Sequence, residues 1–303
     1  MHEEKSGHHN HHHASPANIG KLFAIGIALN VTYIIVETTY GVITHSMALL
    51  SDAGHNFSDV LGLLLSWGAV YLATRKPTKL RTYGLRKSTI LAAFINAVLL
   101  FIAIGAIAIE SIHRFSSTVR IDSGAMIIVA AIGVVINGLT AIFFLRGSSH
   151  DVNIKGAFLH MAADAAVSIG VVISGVVIAY TNLFWIDSVM SLVIVVVIFI
   201  GTWKLFKDSL DLILDSVPES IDTAAVESYL LSLPTVQSVH DLHIWAMSSS
   251  QNALTVHLVI NPAIVDDAFT QKIADELLHK HNIHHTTVQY ESGDVHDCGH
   301  DCL

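Results

Sequence analysis

Two pairs of residues carry the most distinct chemistry in this chain. The segment Ser51-Asp52-Ala53-Gly54-His55-Asn56-Phe57-Ser58-Asp59 sets His55 and Asp59 four positions apart, and His160-Met161-Ala162-Ala163-Asp164 repeats that spacing. On a helix, residues i and i+4 lie on one face, one turn above the other. Two imidazoles and two carboxylates would then form a four-coordinate set that suits a divalent ion such as zinc. Both pairs fall inside long apolar runs. An ionised Asp in the middle of a membrane helix costs about 2.5–3.5 kcal/mol on insertion scales, and a dication held between two such helices offsets that charge. A competing reading makes each His the partner of its own Asp, or of a neighbouring helix, as a structural tie. The recurrence of the same pair in a second run favours the metal. Asp52 lies one turn before His55 and Asn56, where it could support the site, line a pathway, cap the helix or pack. Glu37, Asn30, Asn96 and Asn137 read as packing or hydration groups.

The elements that must position these residues are membrane spans. The 303 residues are 52% hydrophobic and 14% charged, with a mean hydropathy of +0.57, against about 25% charged in an ordinary soluble domain. That composition excludes a disordered chain and most soluble enzymes. A net charge of -9 leaves no broad basic footprint for nucleic acid. Six apolar runs, at roughly 19–43, 46–74, 88–112, 122–145, 156–180 and 184–206, are each long enough to cross a bilayer, which takes about 20 residues. The first is too long for a cleavable signal and follows a His-rich polar tail. Arg75, Lys76, Lys79, Arg81, Arg86 and Lys87 crowd the loop between runs two and three, with Arg146, Lys155, Lys204 and Lys207 on the same side. Basic residues mark the cytoplasmic face, so both termini are expected there. No His-Glu-x-x-His, Walker A or Gly-x-Ser-x-Gly segment occurs, so no enzyme is expected and any transport would run on an ion gradient.

Residues 208–303 follow a disordered 1–18 tail and a 19–207 membrane domain and change pattern. Thr223 to Leu233 reads as a helix with Asp222 as N-cap and Pro234 as its stop. Val236 to Met247 and Leu254 to Ile260 read as strands around a Ser248–Asn252 turn, Asp266 to His281 as a helix, and Thr286 to Glu291 as a last strand. The expected fold is an α-helical membrane protein with six transmembrane helices plus a C-terminal cytoplasmic α+β domain of order α-β-β-α-β, its helices on one sheet face. At the ends, His8, His9 and His11 to His13 form one cluster, and His296, Cys298, His300 and Cys302 another. Such tracts commonly bind metal, and in the cytoplasm Cys298 and Cys302 would stay reduced.

The run from Ser46 through Asp59, the His160/Asp164 pair, Tyr83-Gly84, and His240-Asp241-Leu242-His243-Ile244-Trp245 resemble the cation diffusion facilitator family in its zinc-type branch. The likeness covers residues 19–291. It implies a homodimeric metal–proton antiporter with six spans and a metallochaperone-like cytoplasmic domain. His55, Asp59, His160 and Asp164 would form the transport site; His at the first position of the span-two pair matches the zinc-preferring pattern, which makes Cd2+ less expected, with Co2+ and Fe2+ left open. His240, His257, His284 and Glu291 match the family's cytoplasmic ligands; Cys298 and Cys302, in the His/Cys tract, would be an auxiliary set apart from that match. Three departures stand out. The loop between runs four and five is short and holds only His150, residues 75–87 contain no His, Asp, Glu or Cys, and Gln289 occupies a position where some relatives carry His. A metal site in the 75–87 loop is therefore expected to be absent. The functional expectation is export of Zn2+ from the cytoplasm in exchange for protons, in a bacterial inner membrane, with the tail domain modulating it. The alternatives are a membrane-anchored zinc sensor or binding module, and a passive metal channel.

Overall fold

The computed structural model describes residues 16–115, 120–145, 152–260 and 266–291. Six long helices come first: α1 (Pro16–Ile43), α2 (Met47–Ala73), α3 (Ser88–Arg114), α4 (Ser123–Leu145), α5 (Val152–Thr181) and α6 (Trp185–Ile213). Pro16 opens α1, a position where its missing N–H costs nothing. Five of these helices, α2 to α6, are long and apolar enough to cross a membrane among the described residues. Helix α6 continues past the end of its apolar run at about residue 206. Its last turns are polar, and Lys204 and Asp208 pair there at i,i+4, 3.2 Å apart. The tail domain follows as α7 (Thr223–Leu231), β1 (Val236–Ser248), β2 (Gln251–Ile260), α8 (Asp267–His281) and β3 (Ile283–Glu291).

The chain divides into two compact units. One combines residues through Val60 with Ile104–Val196; the other combines Leu61–Ala103 with Val197–Leu303. In the first, helix ends and close helix packing are held by buried polar groups. Asp187 of α6 caps the start of α2: its Oδ1 accepts from Ser46 Oγ at 2.6 Å and from Ala48 N at 3.2 Å, and its Oδ2 accepts from Met47 N at 2.6 Å. Three of the N–H and O–H donors at that helix start thus find one anion, which the helix dipole also favours. Ser191 Oγ then bridges Ser51 and Ser111 Oγ at 2.6 and 2.8 Å, tying α6 to α2 and α3. On α4, Gly133 leaves room for a neighbour, since a Cβ there would overlap Tyr33 Oη of α1 and crowd Ser168 Oγ of α5.

In the second unit the sheet order is β1-β2-β3. The β1/β2 pair is antiparallel, and the β2/β3 pair is parallel through the α8 crossover. Alternation along β2 sends Leu254, Val256, Leu258 and Ile260 to one face. There they pack with Val226 and Leu230 of α7 and Ile273 and Leu277 of α8, all buried. Period-two alternation leaves His257 on the opposite face. The expected element order is the one observed, with longer strands. Strand β2 starts at Gln251 because the turn tightens to two residues. Strand β3 starts at Ile283 because Asn282, at φ 57, closes α8 in the left-handed conformation and lets the chain turn back at once. Asp222 caps α7 as expected, its carboxylate accepting from Ala225 N at 3.1 Å.

Candidate metal sites

Helix geometry brings His55 and Asp59 to one face of α2, and His160 and Asp164 to one face of α5. The first unit packs those two faces together. His55 Nε2 lies 3.2 Å from Asp164 Oδ1 and 3.8 Å from Asp59 Oδ2, while His160 Nε2 lies 3.2 Å from Asp59 Oδ2 and 3.7 Å from Asp164 Oδ2. The shorter contact of each histidine is with the acid of the other helix. A tie between each His and its own Asp would give the opposite order. One ligand atom from each of the four residues falls within 4.8 Å of all the others. Zinc held at about 2.0–2.1 Å in a tetrahedron needs ligand separations of about 3.3 Å. The four His–Asp separations, 3.2 to 3.8 Å, lie near that value. The cradle is closed on one side, where Asp164 is 2% exposed, and open on the other, where His160 is 44% exposed.

A polar layer adjoins this cradle. Asp52 accepts from Ser168 Oγ at 3.0 Å, and Glu37 accepts from Tyr33 Oη at 2.9 Å and from Asn56 Nδ2 at 3.2 Å. Reading the sequence alone singled out Asp52 and set Glu37 aside as packing; it missed Tyr33, Ser168 and the capping role of Asp187. Tyr33 and Glu37 have the same four-residue spacing as the metal pairs, and that was the legible signal.

In the tail domain, sheet register sets the second cluster. His240 on β1 stands directly opposite His257 on β2, and β3 runs alongside with Glu291 at its end. Glu291 reaches both rings: Oε2 lies 3.1 Å from His240 Nε2, and Oε1 lies 2.9 Å from His257 Nδ1. These three residues offer ligand atoms within 4.8 Å of one another. Desolvation works to raise the Glu291 carboxyl, but hydrogen bonds from His240 and Gln289 and the nearby His240 and His257 rings outweigh it. The carboxyl therefore lies below its ordinary value and stays ionised near neutral pH.

The structure does not bring His284 to this group. It sits at the start of β3, seven residues from Glu291, which is about 23 Å of strand, and is exposed. Its Nδ1 faces Asn282 O at 3.1 Å and the Asn252 N–H at 3.5 Å. Asp241 comes instead to the edge of the group, against His257. A shift in register between His240 and His243 puts Asp241 at φ 52. From there its carboxylate meets His257 Nε2 at 3.4 Å and His243 Nε2 at 2.9 Å. Such a bulge re-aims a side chain in a way no strand alternation foretells. Cys298 and Cys302, like the N-terminal histidines, lie outside the described residues.

Comparison with known proteins agrees with this two-part layout. The cation efflux transmembrane domain matches residues 23–214, and the cation efflux protein cytoplasmic domain matches residues 218–293. The chain is 38% identical over 286 residues to the metal cation efflux system protein CzcD of Cupriavidus metallidurans, covering 93% of this chain and 89% of that one. It is 34% identical over 292 residues to a cadmium, cobalt and zinc/H(+)-K(+) antiporter of Bacillus subtilis, covering 93% and 92%. It is 32% identical over 283 residues to the zinc transporter ZitB of Yersinia pestis, covering 92% and 90%. A solved structure, the metal-bound C-terminal domain of the Cupriavidus CzcD transporter, aligns at 41% identity with a TM-score of 0.22, over 23% of this chain and 99% of that one. With its helical membrane part and its small-sheet tail each matched along almost their whole length, the chain belongs to the cation diffusion facilitator family of metal cation transporters.

Proposed function

We propose that this protein is a secondary active transporter that exports Zn2+ from the cytoplasm in exchange for protons. His55, Asp59, His160 and Asp164 are its transport site. The observation that carries this reading is the crossed arrangement of two His/Asp pairs on α2 and α5, each histidine nearest the acid of the other helix. Two carboxylates match the two charges of the ion, and neutral imidazoles complete the shell. Metal requires deprotonated ligands, so ion and protons compete for one cradle. Histidine, with an ordinary pKa of about 6.5, makes that competition effective across physiological pH. At cytoplasmic pH the cradle loads, and in a more acidic compartment it releases the ion. Exchange between the two faces is rocking of helices about a site fixed within the membrane.

Helix α1 serves as the sixth span, both termini face the cytoplasm, and the membrane is the bacterial inner membrane. The basic 75–87 loop supports this orientation. The protein works as a homodimer, as the match to the family's cytoplasmic domain supports. The tail binds zinc through His240, His257 and Glu291, with Cys298 and Cys302 as auxiliary ligands, and it tunes transport. The test is zinc-dependent proton flux in proteoliposomes: native protein moves protons against zinc, and His55→Ala does not. Undiminished flux in that variant would sink the site. A His55→Asp variant, richer in oxygen ligands, should shift the Cd2+ to Zn2+ flux ratio by about tenfold, since ligand type governs selection among these metals.

A further inference from the structure

Beside the cradle sits a carboxyl pair whose hydrogen bonds do not close without a proton. Glu37 of α1 and Asp52 of α2 are both 0% exposed. Their four oxygens find three donors: Tyr33 Oη on Glu37 Oε1, Asn56 Nδ2 on Glu37 Oε2, and Ser168 Oγ on Asp52 Oδ2. Asp52 Oδ1 is buried with no hydrogen-bond partner. The two carboxyls are within interaction distance of one another. A buried carboxylate oxygen without a donor is costly, and two anions side by side in a membrane interior are costlier still. One proton shared by the pair corrects both defects, because it supplies the missing donor and removes one charge.

We infer that Glu37 is a protonation site outside the metal cradle, holding a proton against Asp52 that leaves when a divalent ion enters and returns when the ion departs. The titratable groups facing Glu37 are Tyr33 on its own helix and Asp52 on α2, while Asp52 in turn interacts with His55 and Asp164. Helix α4 makes room beside Tyr33 and Ser168 at Gly133, and α5 contributes the Ser168 hydroxyl. The link to the cradle is electrostatic and short. Asp52 stands one helical turn from His55 on α2, and Ser168 one turn from Asp164 on α5. A dication in the cradle favours the doubly ionised pair, and an empty cradle favours the shared proton. No ligand needs to be common to both sites. This inference deepens the transport reading and rests on it.

The test counts protons released per zinc bound by the purified full-length protein in weakly buffered detergent solution, read with a pH dye. It is paired with the slope of log affinity against pH. Glu37→Gln, which keeps the shape and carries a permanent donor, should still bind zinc but release about one proton fewer, with the slope reduced by about one. Equal release and equal slope would overturn the inference. Should that variant not fold, infrared difference spectra of the native protein decide the matter. Zinc addition should remove a protonated-carboxyl C=O band, and a spectrum without that loss refutes the assignment. Native protein that neither moves zinc nor releases protons would instead sink the transport reading itself.

Discussion

The membrane cradle and the tail cluster use the same side chains and place them by different physics. In the cradle, four ligands come from two helices as two i,i+4 pairs, and only the packing of α2 against α5 remains to be set. In the tail, three ligands come from three strands, and every one depends on register. The charges differ as well. The cradle matches a dication with two carboxylates, one of them almost fully buried. The tail group has the one Glu291 carboxylate against His240 and His257, with Asp241 at its edge. A buried site with balanced charge loses most when one partner is removed. A partly exposed site of three ligands stays open to a fourth and tolerates change better. The contrast fits the proposed roles, a transport site that loads and releases an ion and a tail site that tunes it.

The largest effect should come from the closed side of the cradle. Asp164→Asn removes a charge that the ion needs, and zinc affinity by calorimetry at pH 7 should fall by about 100-fold or more, since even outer partners of metal ligands are worth about 10- to 100-fold. Metal-driven proton flux should vanish with it, while zinc binding by the tail remains. If both sites weakened together, the two would not be separate. Next, His257→Ala should cost the tail site about 100-fold in affinity and leave cradle-dependent flux measurable in proteoliposomes.

A smaller effect follows from the Glu291 carboxyl, which lies below its ordinary value in the folded protein. Such a group adds stability above its unfolded pKa, about 4.3, and that contribution disappears as pH falls through the lower folded value. In metal-free protein, tail hydrogen exchange should thus speed up on acidification below about pH 4 in the native chain, and less so in Glu291→Gln. Identical acid profiles would show that Glu291 makes no such contribution. The smallest effect belongs to His284→Ala, which should change zinc affinity at His240, His257 and Glu291 by less than about twofold, given its separation along β3. A large loss would mean that His284 reaches a site by way of another protomer.

Much of the helical part was legible because its cues are local. Six apolar runs became six helices, and the spacing of His55 with Asp59 and of His160 with Asp164 survived intact, since 3.6 residues per turn is a property of the backbone alone. Tail elements were legible in kind and order, and less so at their ends. Asn282 in the left-handed conformation and the two-residue β1–β2 turn lengthened strands that hydropathy alone had cut short. His284 shows the limit of resemblance, because a matching position in the chain did not carry it to the cluster. Asp241 shows the limit of alternation, because a bulge turned it toward His257.

The chain by itself determined that two His/Asp pairs would sit inside apolar helices, and on which helical faces, because side chains one turn apart must point the same way. Tertiary structure alone decided that each histidine would meet the other helix's acid, that Glu37 and Asp52 would be buried together short of one donor, and that the tail cluster would end at Glu291 and not at His284. Those outcomes depend on how separate segments pack and register. Such pairings join residues far apart in the chain, and their energies are set by burial and partner geometry that no local spacing encodes.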